Sequence, residues 1–454
     1  MEQQLKRTLG VSDAVVVGLG AMVGAGIFAS FGPAAQAAGP GGALLAALAV
    51  AAVVAYCNAH SSARLAARYP SSGGTYVYGR ERLGPFWGYL AGWAFVVGKT
   101  ASCAAMALTV GAYLWPEQAQ AVAVAAVVAL TAANYGGVQK SARIARVIVA
   151  VVLAVLAGVV VVCLGSGAAG AGRLWDGGPG EPGGAWGLLQ AAGLLFFAFA
   201  GYARITTLGE EVRDPERTIP RAVPIALGIA LAVYAAVAVA VLSVLGATGL
   251  AGSAAPLADA VREAGLPELV PVVRAGAALA ALGSLLSLVL GVSRTTLAMA
   301  RDGHLPRALA AVHPRYQVPH HAELAVGAVV AVLAATADLR GAIGFSSFGV
   351  LVYYAIANAS AWTLGSRDAG SRDAGVRDVG MRDVGMRDVG MRDEGVRDAG
   401  SHDSGVKGRA VAAVGLAGCV VVACALPVVS VVSGVGVLVV GAAAYLLRMR
   451  SRAV

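Results

Sequence analysis

Charge is scarce in this chain. Asp, Glu, Lys and Arg together make up 13% of its 454 residues, against 58% hydrophobic residues and a mean hydropathy of +0.74. A soluble protein of this size cannot hide so much apolar surface, so the composition excludes a water-soluble domain and requires a bilayer as part of the solvent. Catalytic motifs are missing as well. There is no GxSxG, no HExxH, no GxxxxGK[ST] and no cluster of acids within an apolar stretch, which removes the usual routes to a hydrolase, a metalloprotease or a nucleotide-driven pump. An enzyme is therefore not expected. The five cysteines form no CxxC or CxxH pair and sit in apolar stretches, where they read as small core side chains and not as disulfides or metal ligands. His304, His313, His320 and His321 share one loop region, but their irregular spacing between Pro306, Pro314 and Pro319 presents no metal face.

What the chain has in abundance is long runs without charge. Asp13 to Arg64, Lys99 to Glu117, Glu117 to Lys140, Arg146 to Arg173, Glu181 to Arg204, Arg221 to Asp259, Arg274 to Arg294, Arg340 to Arg367 and Arg409 to Arg448 each bound such a run. A spanning helix needs about 20 apolar residues, so the first and last runs cross twice, breaking at Gly39–Gly42 and near Pro427. With a weaker span over His320 to Asp338, the chain reads as an all-α integral membrane protein of about twelve transmembrane helices. The first run is longer than a signal-peptide core and continues into a second span, which argues against a cleavable leader. Of the 34 Lys and Arg residues, 28 then fall on the side of the N-terminus, four outside, and Lys99 and Arg204 within spans. The net charge of +9 thus reports topology and not nucleic-acid binding, and it places both termini in the cytoplasm of a multi-pass protein of the cell membrane.

Between spans 10 and 11 a five-residue unit repeats eight times, from Ser366-Arg367-Asp368-Ala369-Gly370 to Ser401-His402-Asp403-Ser404-Gly405. Period five suits neither helix nor strand, and each Arg is neutralised by the Asp beside it, so the segment reads as a disordered cytoplasmic spacer. The arginines could alternatively meet lipid headgroups. The chain accordingly divides into a ten-helix transport core over 1–365, the linker over 366–407, and helices 11 and 12 with the C-terminus over 408–454.

Two spans are interrupted where chemistry is needed. Span 1 carries Gly18, Gly20, Gly24 and Gly26 within nine residues. The spacing is not a dinucleotide fingerprint, since no βαβ pattern surrounds it and no acid follows at the required distance. Gly20 and Gly24 could serve helix packing as a GxxxG, but the added Gly26 invites an unwound segment, which lipid tolerates only where the freed backbone is buried or lines a cavity. Span 6 has a similar interruption in Phe196-Phe197-Ala198-Phe199-Ala200-Gly201-Tyr202-Ala203-Arg204. Interrupted segments at corresponding places in two halves point to a midplane site in an inverted-repeat transporter, here spans 1–5 and 6–10. Amides at the start of a half-helix suit a carboxylate, and carbonyls at the end of one suit an ammonium group. A zwitterionic amino acid carries both.

Several ordered motifs resemble the amino acid, polyamine and organocation transporter superfamily. They are Gly24-Ala25-Gly26-Ile27-Phe28 in span 1, Pro70-Ser71-Ser72-Gly73-Gly74-Thr75-Tyr76-Val77-Tyr78 with Gly92-Trp93, Glu210-Glu211-Val212-Arg213-Asp214-Pro215 with Ile219-Pro220-Arg221, and Ser293-Arg294 through Ala298-Met299-Ala300-Arg301-Asp302-Gly303 with Leu305-Pro306. The resemblance implies a five-plus-five inverted-repeat core like that of leucine transporters, two peripheral helices, broken helices 1 and 6, and alternating access. It also implies that Val23, Gly24, Ala25 and Gly26 offer amides to a substrate carboxylate, that Ala21, Met22, Phe199 and Ala200 offer carbonyls to its amine, and that Phe197 is an aromatic lid. Gly201 and Tyr202 complete the interrupted stretch of the substrate site. Two departures stand out: Ala25 replaces a frequent Ser or Thr, and Ala203 stands where an acid is common.

Lys99 and Arg204 are the cations within spans, and each would cost about 2.5 to 3.5 kcal/mol facing lipid. Both, with Glu210 and Glu211, are candidates for coupling or gating; Lys99 could cycle a proton, stand in place of a coupling cation, or be capped by a carbonyl. Arg204 could pair with Glu210 or Glu211 and, as an arginine, carries no proton. Two cations and no core acid favour neutral or acidic amino acids. The expected function is an amino acid permease with proton coupling or exchange, no cofactor and no metal. A sensor on the same fold, a channel, or a carrier of cationic amino acids or polyamines are the alternatives.

Overall fold

The computed structural model describes residues 9–69, 73–136, 142–177, 183–208, 211–313, 316, 318–364 and 398–453. Among these the protein is helical throughout, with one isolated bridge between Leu9 and Val212 as its only β pairing. The helices are α1 (Val11–Met22), α2 (Ala25–Ala29), α3 (Phe31–Ala38), α4 (Gly41–Arg68), α5 (Thr75–Leu83), α6 (Pro85–Leu114), α7 (Ala119–Tyr135), α8 (Ala142–Gly165), α9 (Gly184–Phe199) and α10 (Ala203–Thr206). They continue as α11 (Pro215–Ala251), α12 (Pro256–Glu263), α13 (Val270–Arg301), α14 (His320–Thr336), α15 (Leu339–Trp362), α16 (Asp398–Ala425) and α17 (Val428–Ala453). Span 1 is α1 with α2, spans 2 to 5 are α4, α6, α7 and α8, and span 6 is α9 with α10. Spans 7 to 12 are α11, α13, α14, α15, α16 and α17.

Among the described residues eleven helices are long and apolar enough to cross a membrane. The twelfth, α14, has 17 residues, or about 25 Å of rise, somewhat less than the roughly 30 Å hydrocarbon layer. This is the segment whose composition gave the weakest span. The turn between α16 and α17 falls at Pro427, as the sequence suggests. The pentapeptide repeat lies outside the described residues as far as 397, and from Asp398 the chain is helical, so α16 begins inside the segment read as linker.

The order of packing reveals an internal repeat. Span 1 packs on span 7 as span 6 packs on span 2; span 1 packs on span 5 as span 6 packs on span 10; span 3 packs on span 10 as span 8 packs on span 5. The pairs 2 with 7, 3 with 8 and 4 with 9, which an exchange of the two halves maps onto themselves, are in direct contact. The short helices α5 and α12 occupy matching places, between spans 2 and 3 and between spans 7 and 8. This is the five-plus-five arrangement, with spans 11 and 12 laid against its outside at spans 2, 3, 6 and 10.

Close approach is supplied by small residues, as expected where helices associate in lipid without a hydrophobic drive. A β-carbon on Gly98 of span 3 would lie 3.2 Å from the Gly349 backbone of span 10, and one on Gly327 of span 9 would lie 2.6 Å from Thr131 Oγ1 of span 4. Other large apolar side chains face outward. Val428, Val429, Val432 and Leu447 of span 12 are 65–80% exposed, a surface that would aggregate in water and is satisfied by acyl chains.

Candidate functional site

Span 1 loses its helix because Val23 and Gly24 leave helical backbone. Val23 has ψ 58° and Gly24 has φ −118°, ψ −145°. The break sits against three neighbours. A β-carbon on Gly24 would lie 2.1 Å from Ser284 Oγ of span 8, and one on Gly26 would lie 2.5 Å from Ala198 Cα of span 6. One on Gly201 of span 6 would lie 2.3 Å from the Ala21 carbonyl oxygen. The two interrupted spans therefore cross backbone to backbone, and only glycine permits the contact.

Span 6 is interrupted more gently. Phe199, Ala200, Tyr202 and Ala203 keep φ between −52° and −78°, and the chain tightens into a 3₁₀ turn over Ala200–Tyr202 before α10 resumes. The sequence suggested similar interruptions in both spans; the structure shows an unwound one and a tightened one. Packing explains the difference. Phe196 and Tyr202 close on Tyr354 of span 10, with ring centroids 5.9 and 5.0 Å away, and Phe199 closes on Tyr234 of span 7 at 4.9 Å. Rings on both sides hold the turn together.

The backbone groups at the crossing divide into used and available ones. The Val23 amide donates to Leu19 O and the Gly24 amide to Met22 O, at 2.7 and 2.8 Å. That leaves Ala25 and Gly26 of the four amides the resemblance points to, and both lie in the first turn of α2, where no carbonyl one turn back is available within the helix. On the acceptor side, Tyr234 Oη lies 2.7 Å from Met22 O and 2.9 Å from Ala198 O, so its one proton ties the ends of both half-helices. Ser284 Oγ donates to Gly20 O at 3.3 Å. Lys99 Nζ of span 3 donates to Ala200 O at 3.2 Å, with Tyr354 Oη at 3.5 Å from the same oxygen. Met22 and Ala200 thus already carry protein donors in this conformation. Phe197 is 7% exposed and stands in the last turn of α9, beside the crossing.

Arg204 lies just past the turn, in electrostatic reach of Glu211 and of Arg294 on span 8, but among the described residues it makes no ion pair within 4 Å. Glu210 falls outside the described residues. Glu211 joins the two broken spans through its backbone: its carbonyl accepts from the Leu9 amide at 3.1 Å and the Arg213 amide donates to Leu9 O at 2.9 Å. The entrance to span 1 and the exit of span 6 are thereby fastened at one face of the bundle. On that face Asp13, which also receives the Gly10 amide at 3.2 Å, pairs with Arg146 of span 5 at 2.9 Å. Tyr76 of α5 donates to Asp302 and lies 3.0 Å from His304 Nδ1, bridging the 2–3 and 8–9 connections. Burial, and then the Asp302 carboxylate, push the Tyr76 phenol above its ordinary value, so it remains a donor.

Sequence reasoning missed Tyr234, Ser284 and Tyr354. Each puts a polar tip in an apolar span, a signal that indicates a buried hydrogen bond but not its partner.

Comparison with known proteins agrees with this architecture. Residues 9–447 match the amino acid permease family. An uncharacterized transporter of Mycobacterium bovis is 67% identical over 445 residues, covering 98% of this chain and 92% of the relative. A branched-chain amino acid permease of Bacillus subtilis is 26% identical over 391 residues, covering 80% and 82%. A human cationic amino acid transporter is 31% identical over 386 residues, covering 79% and 60%. With a family match over nearly its whole length and the two-fold-repeated helical fold, this chain is a membrane transporter, not an enzyme, and belongs to the amino acid permease family.

Proposed function

We propose that the protein carries neutral or acidic amino acids across the cell membrane by alternating access, with proton coupling or exchange, and with both termini in the cytoplasm. One observation carries the reading: the first-turn amides of α2 at Ala25 and Gly26 and the carbonyls of the span 6 turn meet at a single buried crossing. Donors at a helix start suit a carboxylate, and carbonyls at a helix end suit an ammonium. The cations Lys99 and Arg204 near this crossing, with no carboxylate ion-paired to them among the described residues, favour a substrate without a net positive charge. The relatives named for branched-chain and for cationic amino acids set the range to be tested. Alternating access would proceed by parting the fastened face, where Leu9, Glu211, Asp13 and Arg146 hold spans 1, 5 and 6 together.

Counterflow in proteoliposomes tests the reading. Vesicles are preloaded with one unlabelled amino acid and given a trace of the same one labelled outside. Transient accumulation for a neutral or acidic amino acid, absent from protein-free vesicles, is the expected result. Accumulation confined to arginine, lysine or polyamines would overturn the substrate assignment, and binding without any accumulation would turn the reading toward a sensor.

A further inference from the structure

Lys99 is 6% exposed and is the residue through which span 3 enters the crossing. Its position is fixed from both sides. The preceding residue, Gly98, is pressed on the Gly349 backbone, and three residues on, Ser102 Oγ lies 2.5 Å from Ser346 Oγ. The ammonium has one acceptor among the described residues, Ala200 O, and no carboxylate within 4 Å. A buried cation without a counter-charge is costly, and an ammonium holds three donors, so one carbonyl is a sparse environment for it. The side chain reaching this oxygen is a flexible four-carbon stem with a compact charge at its tip. A primary ammonium on a free substrate has the same head.

We propose that Lys99 is a tethered stand-in for the substrate amine, occupying the Ala200 carbonyl when the site is empty and displaced from it when a primary ammonium group binds. The identity of the natural ligand rests on the amino acid reading above, whereas the ammonium subsite does not. In this scheme Lys99 competes with substrate. It holds the span 6 turn in its loaded geometry between transport events and weakens apparent affinity by the fraction of time it occupies the oxygen.

Two arms test this. Purified wild type, Lys99→Ala and Lys99→Met are followed by thermal unfolding in a methyl- to n-butylammonium chloride series, with n-butanol and sodium chloride as controls. A saturable stabilisation of either folded variant by an alkylammonium, reached at lower concentration than in wild type and absent with the controls, is expected. No ammonium-specific response in either variant, or an equal one in wild type, would overturn the proposal. In the second arm, counterflow of whichever amino acid the protein exchanges should half-saturate at a concentration about tenfold lower in Lys99→Met than in wild type. An unchanged or weaker affinity would mean that Lys99 supports binding and does not compete with it. If no amino acid is exchanged by wild type, the functional reading fails while the unfolding arm still decides on Lys99.

Discussion

Span 1 leaves the helix altogether for Val23 and Gly24, whereas span 6 tightens into a 3₁₀ turn over Ala200–Tyr202 and keeps right-handed backbone. The two stretches occupy corresponding places in the two halves of the repeat and press on each other, yet their side chains differ. Span 1 brings glycines and a bare backbone at the break itself, its nearest ring, Phe28, packing on Tyr113 of span 3 further along. Span 6 brings Phe196, Phe199 and Tyr202, each locked on a tyrosine of span 7 or span 10. Loss of helix is thus decided less by one glycine than by whether neighbouring rings hold the turn closed. The consequence is a division of labour, in which the unwound span presents amides and the tightened span presents a carbonyl.

Substitution at the crossing separates these roles. The largest effect is expected at Gly26, where a side chain would meet the Ala198 backbone at 2.5 Å. Gly26→Val forces the two spans apart, and displacement of about 1 Å at a reacting or binding centre costs on the order of 100-fold, read as initial counterflow rate in vesicles of matched protein content. Gly201→Ala strikes the same contact from the other side, 2.3 Å from Ala21 O. Because a methyl is smaller than the valine side chain, its loss should be smaller, about 1–3 kcal/mol of stability by overpacking, measured by thermal unfolding.

Tyr234→Phe comes next, since it keeps the ring on Phe199 and removes only the hydroxyl between Met22 O and Ala198 O. Leaving buried acceptors without their donor costs about 1–3 kcal/mol, and amide exchange at the ends of α1 and α9 should rise together. A rise at one end alone would show that the hydroxyl serves one span. The smallest effect is expected from Asp13→Asn. The Arg146 side chain is 55% exposed and that of Asp13 27%, so the ion pair contributes at most about 1 kcal/mol, visible as a salt-insensitive and slightly faster exchange rate.

Much of this molecule is legible in its sequence. Charge-free intervals mark the spans because unpaired charge is costly in a bilayer. The glycines from Gly18 to Gly26 mark the break in span 1 because few side chains could replace them there. Span 6 is less legible. Its single Gly201 signals an interruption, but whether the turn unwinds or tightens depends on Tyr234 and Tyr354, which arrive from spans 7 and 10. The same holds for Lys99: its burial could be read from an apolar span, its acceptor could not, because Ala200 O is 101 residues away. The short helices α3, α5 and α12 carry no periodic signal long enough to stand out from the spans and loops around them.

One paired measurement bears most directly on the crossing as the transport site. Counterflow of the best-exchanged amino acid is compared in wild type, Gly26→Val and Gly228→Ala. Gly228 lies in span 7 with nothing within 4 Å of where its β-carbon would stand. Gly228→Ala is expected to exchange like wild type while Gly26→Val, equally monodisperse, loses exchange. Wild-type exchange by Gly26→Val would contradict it, because a site built at that contact could not survive the side chain.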